Sequence, residues 1–330
     1  MSPEAAAPAS VKLFFREAIA RALREEMTRD ERIILLGQDV GDFGGSYKEF
    51  VGLKAAFGRT RVRDMPVAEA AMVGLGVGAA AAGLRPLVSI TYMDFLMLGL
   101  DPLVNYAAKA RFKTGGQLTV PLVVKTTAGA KGQGVAHSQC VEAWLMSVPG
   151  LTVVAPSTAA DAYGLLKSAL RAPGPVLFVD HKRLFPTAGE VPADEVLVPF
   201  GQAAVRRAGE HVTIASHGYM VRVALEAADR LAGQGVSCEV IDLRSLAPLD
   251  LDTVAASAGR TGALLTLEEG QLTCGVGAEV AFRVRERYDT VKLARVGALP
   301  APVSSNPVLE AACLPDAARV VAAVRRLLKS

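Results

Sequence analysis

Leu151 to Val179 reads LTVVAPSTAADAYGLLKSALRAPGPVLFV. The apolar, β-branched run Leu151–Ala155 predicts a buried strand. Apolar residues at helical spacing then predict a helix over Thr158–Leu170, and Val176–Val179 predicts a second strand. Strand, helix and strand within about 30 residues form a βαβ unit, which joins parallel strands. Toward the N-terminus the same alternation continues. Strands are predicted at Arg32–Gly37, Leu87–Ile90 and Pro121–Lys125, and helices at Val11–Arg29, Ala68–Ala82 and Asp101–Phe112, with Pro102 suited to a first turn. A Gly- and Thr-rich loop, Thr126–Gly134, follows the Pro121 strand. Toward the C-terminus Pro186, Gly189, Pro192 and Pro199 interrupt the pattern and predict a linker over residues 186–202. A second series then begins, with strands at Val212–Ala215, Ser237–Ile241, Ala263–Leu267 and Val291–Arg295. Its helices fall at Met220–Ala232, Leu251–Ala258, Ala278–Arg287 and Ala317–Leu328. The fold class expected is α/β, with two doubly wound domains over residues 11–185 and 203–330.

Composition narrows the function. Of 330 residues 51% are hydrophobic and 21% charged, enough to build a sizeable core and to argue against disorder. The net charge of +3 is spread without a basic stripe, so nucleic acid is not an expected partner. The longest apolar run, Ala70–Leu84, is too short to span a membrane and carries Gly74, Gly76, Gly78 and Gly83. Met1–Ser10 shows no charged segment followed by an apolar run, so no signal peptide is expected. Cys140, Cys238, Cys274 and Cys313 form no CxxC pair and read as thiols of a cytoplasmic protein.

Glu69 is the most informative single residue. It opens Glu-Ala-Ala-Met-Val-Gly-Leu-Gly-Val-Gly, a helix with no other ionisable group, and its carboxylate is expected against apolar surroundings that disfavour charge. The plain alternative is an acidic first-turn residue favoured by the helix dipole. Gly74 and Gly78, four apart, share one helix face and would permit close approach of another element. His137, in Gly132-Gln-Gly-Val-Ala-His-Ser-Gln-Cys140 beyond a strand end, is a candidate general acid or base, or else an ordinary loop histidine. Phe95, in Tyr92-Met-Asp-Phe95, stacks on a flat ligand or simply fills core. His217 follows a strand and reads as structural. His181 has no partner visible in the sequence. Gly41-Asp-Phe-Gly-Gly45 matches no phosphate-loop pattern, and no His or Cys spacing fits a metal site.

In collinear order, Leu36-Gly-Gln-Asp-Val40, Pro66-Val-Ala-Glu69, Ala82-Gly-Leu-Arg-Pro86, Asp94-Phe95, His137-Ser-Gln-Cys140, Pro149-Gly-Leu-Thr-Val-Val154, Asp242-Leu-Arg-Ser-Leu-Ala-Pro-Leu-Asp250 and Glu268-Glu-Gly270 resemble one family. It is that of the beta chains of thiamine-diphosphate-dependent 2-oxoacid dehydrogenases, which act on pyruvate, branched-chain 2-oxoacids or acetoin. The resemblance implies a transketolase-like pyrimidine-binding domain followed by a transketolase C-terminal domain. It implies that Glu69 hydrogen-bonds the cofactor's aminopyrimidine, that Phe95 packs on that ring and that Val67 borders it. His137 would act at the acyl-transfer end, near a lipoyl group. Gln38 stands where the family commonly has a glutamate of a proton path between paired sites, and an amide cannot relay protons as a carboxylate does. Some family members bind potassium through backbone carbonyls at positions matching Leu122, Ala169, Leu170, Ala172 and Gly174. Here Ala172 and Gly174 replace polar residues.

The family's diphosphate and Mg2+ site uses a Gly-Asp-Gly motif that does not occur in this sequence. The resemblance therefore implies an alpha subunit that supplies that site in an alpha2beta2 heterotetramer, and a lipoyl acyltransferase that receives the acyl group. Two other readings are a split transketolase-like subunit transferring a two-carbon unit, against which His137-Ser-Gln argues, and a non-catalytic scaffold that only holds a partner.

Overall fold

The computed structural model describes residues 9–329. Most of Met1–Ser10, on which the signal-peptide expectation rests, lies outside them, as does Ser330. In chain order the strands are β1 Ser10–Phe14, β2 Ile33–Gly37, β3 Val62–Asp64, β4 Arg85–Ile90, β5 Val123–Ala128, β6 Thr152–Val154 and β7 Val176–His181. They continue as β8 Ala188–Pro192, β9 Ala204–Arg207, β10 Val212–Ser216, β11 Cys238–Asp242, β12 Ser245–Ala247, β13 Ala263–Gln271 and β14 Lys292–Ala298.

Two doubly wound sheets result. The seven-stranded sheet runs β12-β6-β7-β5-β4-β2-β3 and is parallel except at β12. The five-stranded sheet runs β14-β13-β10-β11-β9 and is parallel except at β9. Strand side chains alternate between faces, so neighbouring residues feed different cores. Leu35, Leu87, Val123 and Phe178 pack with Phe15, Ile19 and Tyr163 on one face. Leu36, Val88, Val124 and Leu177 pack with Met72, Val73 and Leu103 on the other. That second core continues into Ile241, Val254 and Val280 of the C-terminal sheet, so the two halves share apolar packing.

Several local expectations need correction. The helix expected from Val11 starts at Phe15, and residues 10–14 pair antiparallel with β8 inside the expected linker. Only from Phe15 onward do Ala18, Ile19, Ala22, Leu23 and Met27 keep helical spacing in the core. The linker is therefore stitched to the first domain rather than spanning free. The strand expected from Pro121 begins at Val123 and runs on through Thr126 and Thr127, because proline has no N–H for the ladder. The helix expected over Asp101–Phe112 opens as a π-helix, Asp101–Ala107, before α-helix Ala108–Lys113. Close approach on the Glu69–Ala81 helix is made by Gly76. A Cβ there would lie 2.6 Å from Val88 Cγ2, whereas one on Gly74 or Gly78 would meet nothing within 4 Å among the described residues. The helices Leu53–Arg61 and Pro307–Cys313 and the short strands β3, β9 and β12 are additions to the sequence reading.

β12 crosses from the C-terminal half to complete the first sheet. Around it lies a buried polar seam. Ser157 donates to Asp242 at 2.5 Å, Arg206 bonds Asp161 and Asp242, and Arg244 reaches Asp161 at 3.2 Å. Burial and neighbouring Asp161 push Asp242 up to about 6. No helix among the described residues is long and apolar enough to cross a membrane.

Candidate active site

In an open parallel sheet, functional groups collect beyond the carboxyl ends of the strands. Here β2 ends before Gln38, β4 before Tyr92 and Phe95, β5 before the loop Gly129–Gln139, and β7 before Lys182. Glu69 starts the crossover helix after β3 and so reaches the same edge. Its helix packs on the segment after Phe95. A Cβ on Gly99 would sit 2.7 Å from Val73 Cγ2 and 3.4 Å from Glu69 O.

Glu69 is 8% exposed, and among the described residues its carboxylate has no hydrogen-bond or ion-pair partner. Phe95 is half-buried and meets the His137 ring edge-on, centroids 5.3 Å apart. Tyr92 meets the same imidazole edge-on at 4.5 Å. Phe95 and His137 are thus brought together, with Tyr92 as a third ring that the sequence did not single out. Val67 is 67% exposed. The Gln38 amide reaches only its neighbour Asp39, at 3.5 Å.

The His137 loop is held from three sides. From below, the fully buried Lys182 ammonium donates to Gly129 O at 2.6 Å and to His137 O, and lies 5.0 Å from the Tyr92 ring centroid. Burial lowers the Lys182 pKa, opposed by Asp94 and other nearby acids. From the side, Asp94 accepts from the N–H groups of Ser138 and Gln139, at 3.2 and 3.3 Å. From the C-terminal domain, Glu269 accepts from Ala130 N at 2.7 Å, and Glu310 accepts from Gly132 N at 2.6 Å and from Arg183 at 2.8 Å. Gly129 is required, since its φ is +87° and a Cβ would fall 1.8 Å from His181 Nε2.

His181 does have a partner. Its Nδ1 accepts the Arg183 N–H at 3.1 Å, so Nε2 carries the proton and donates it to Glu269 at 2.9 Å. Cys140 completes a His–Glu–Cys cluster whose ligand atoms lie within 4.8 Å of one another. A metal on His181 Nε2 would need the proton on Nδ1, facing the Arg183 N–H, and metal-bound histidines instead donate through the second nitrogen. The cluster is therefore a hydrogen-bonded link between domains. His217, buried beside it, is pushed down to about 4 by burial and by His181. Beneath the site, Lys125 is paired with Asp180 at 2.7 Å and Glu49 at 3.1 Å, tying the Gly44–Phe50 loop to the sheet.

The five positions matched to potassium lie at the opposite edge of the sheet. Arg85 donates to Leu170 O at 2.8 Å and to Ala172 O at 2.7 Å, while Val176 N–H donates to Leu122 O and Ala172 N–H to Ala169 O. Four of the five carbonyls accept from the chain's own donors, and the guanidinium would repel an added cation. No potassium is proposed.

Lys182, Asp94, Glu269 and Glu310 were missed by the sequence reading. Asp94 and Glu269 stand in stretches that carry the family resemblance, and Lys182 directly follows a largely apolar strand, but none of these signals assigns a role.

Family models match along the chain, the transketolase pyrimidine-binding domain over residues 12–187 and the transketolase C-terminal domain over residues 201–320. The pyruvate dehydrogenase E1 component subunit beta of Rhizobium meliloti (strain 1021) is 42% identical over 94% of this chain and 68% of the relative. Subunit beta-1, mitochondrial, of the same component from Oryza sativa subsp. japonica is 41% identical over 96% of this chain and 87% of its own length. Among solved structures, a split-gene transketolase described as an inactive beta4 tetramer superposes with a TM-score of 0.79 at 26% identity, covering 98% of this chain and 99% of that one.

Proposed function

The chain belongs to the transketolase-like family of pyruvate dehydrogenase E1 beta subunits, and we propose from that membership that it completes a thiamine-diphosphate site shared with a partner chain. It is a beta subunit of a thiamine-diphosphate-dependent 2-oxoacid dehydrogenase. The observation that carries the shared-site proposal is Glu69, a buried carboxylate without a partner beside the Phe95 segment. Its carboxyl takes no bond from the described chain and is free to bond a group from outside it.

The residues present fit the cofactor. Glu69 would hold a proton against the aminopyrimidine ring, Phe95 would pack on the ring and Val67 would border it. When bound, thiamine diphosphate supplies the electron sink for decarboxylation. His137, with its ring met edge-on by Tyr92 and Phe95, would move a proton at the acyl-transfer end. Gln38 offers an amide and relays no proton between paired sites. Mg2+ and the diphosphate would be held by the alpha subunit of an alpha2beta2 complex, and a lipoyl acyltransferase would take the acyl group.

The test is a thiamine-diphosphate titration of this chain alone and of this chain assembled with an alpha subunit, followed by assay of pyruvate, branched-chain 2-oxoacids and acetoin. Saturable binding only in the complex, with lipoyl acylation from one of these substrates, is expected. Tight binding by the lone chain sinks the shared site. Binding without turnover of any of them makes the chain a scaffold, and transfer to an aldose phosphate makes it a split transketolase.

A further inference from the structure

A cavity of about 470 Å3 lies between the domains, behind the His137 loop. Its first-domain wall is Ser138–Trp144, and its second-domain wall is the end of β13 with Pro300–Val303. Three glutamates line it, Glu142, Glu268 and Glu269, and no Lys, Arg or His does. Two of the three are accounted for. Glu268 accepts from the N–H groups of Val276 and Gly277, both at 2.9 Å, and Glu269 accepts from Ala130 and His181. Glu142 is 6% exposed and, among the described residues, accepts only from its own backbone N–H. Trp144, the chain's single tryptophan, lines the same cavity.

A buried carboxyl bonded only to its own backbone, two further glutamates and an indole lining a cavity of small-molecule size suit one class of ligand. Acids attract positive charge, and the indole face adds a cation–π contact. We propose that this cavity binds a small organic cation, an ammonium or guanidinium on a short apolar body, with its head on Glu142 and its body against Trp144. Binding ionises Glu142, whose proton leaves to solvent, and a charge-assisted N–H···O bond forms in its place. The cavity wall continues directly from His137 through Ser138 and Gln139, the residues that Asp94 holds. An occupant therefore bears on the loop without entering the active site, as an effector would.

The test uses the chain assembled with its partner subunit and n-butylammonium as probe, with n-butanol as the neutral isostere. Trp144 reports as the fluorescence difference between wild type and W144F, alongside calorimetry. The expected result is saturable binding of the ammonium, with the alcohol and the E142Q variant each about tenfold weaker or more. Burial holds the Glu142 pKa up to about 8, so affinity for the ammonium should rise from pH 7 to pH 8.5 as the carboxyl ionises. Equal response to ammonium and alcohol, or undiminished binding by E142Q, overturns the proposal. Should E142Q not assemble, absence of the pH rise in the wild type overturns it alone.

Discussion

At the scale of single residues, the site depends on groups held without freedom to move. Glu69→Gln keeps the shape and removes the proton that a carboxyl can share. In the assembled complex it should lower turnover about 100-fold or more while leaving the unfolding midpoint near wild type. Turnover within a few-fold of wild type would refute the assignment. Lys182 acts through His137 by gripping its carbonyl and that of Gly129. Lys182→Met leaves two acceptors without their donor, at a cost of about 1–3 kcal/mol each. Amide exchange over residues 129–139 should accelerate and lipoyl acylation should fall about tenfold or more, with partial recovery in Lys182→Arg. In a His137→Ala background the same change should slow acylation no further. Unchanged exchange would show that Lys182 does not position the loop. His137 and Glu69 were legible in the sequence, whereas Lys182, Asp94 and Glu269 were not. Their partners are backbone groups and residues 44 to 139 positions away, and spacing along the chain carries no trace of such contacts.

At the scale of elements, the Glu69–Ala81 helix shows how local pattern and packing divide the information. Its existence was plain from composition, but which glycine mattered was not. Gly76→Val drives a side chain into Val88 and Leu122 and should cost about 1–3 kcal/mol or more in urea unfolding of the isolated chain. Gly74→Val meets nothing and should stay within about 0.5 kcal/mol of wild type. Equal effects of the two would mean that the helix does not face the sheet as described. Long elements with a strong period, such as the helices at 159–171, 220–232 and 317–329, were read correctly within a residue or two. The misses were β1, β3, β8, β9 and β12, strands of three to five residues. Segments that short contain too few side chains to show a period, and their identity comes from the strand they pair with.

At the scale of the whole molecule, the C-terminal domain serves as the clamp that positions the His137 loop of the N-terminal one. Glu269 and Glu310 reach across to Ala130, Gly132, His181 and Arg183. The seam between domains also carries a pH dependence. Glu142 has its folded pKa raised to about 8 by burial, from an ordinary value of 4.5. Its contribution to stability is therefore fully present below pH 4.5 and is lost as pH rises to 8, because the unfolded chain releases the proton that the folded one retains. Denaturation of wild type against Glu142→Gln across pH 4.5–8 should show the wild type losing ground steadily as pH rises. Parallel curves would show that Glu142 is not buried in solution.

By itself the sequence determined the two α/β halves, their order, the family and the presence of Glu69, Phe95 and His137. Periodicity and collinear motifs are properties of neighbours along the chain, and they survive without coordinates. Only the tertiary structure decided that the linker is stitched down by β1, that β12 crosses between sheets and that Arg85 takes two of the carbonyls matched to potassium. It alone also showed a carboxyl of the second domain holding the loop of the first. Each of these is a pairing between distant residues, chosen by which buried polar group most needs a partner once the chain has closed on itself.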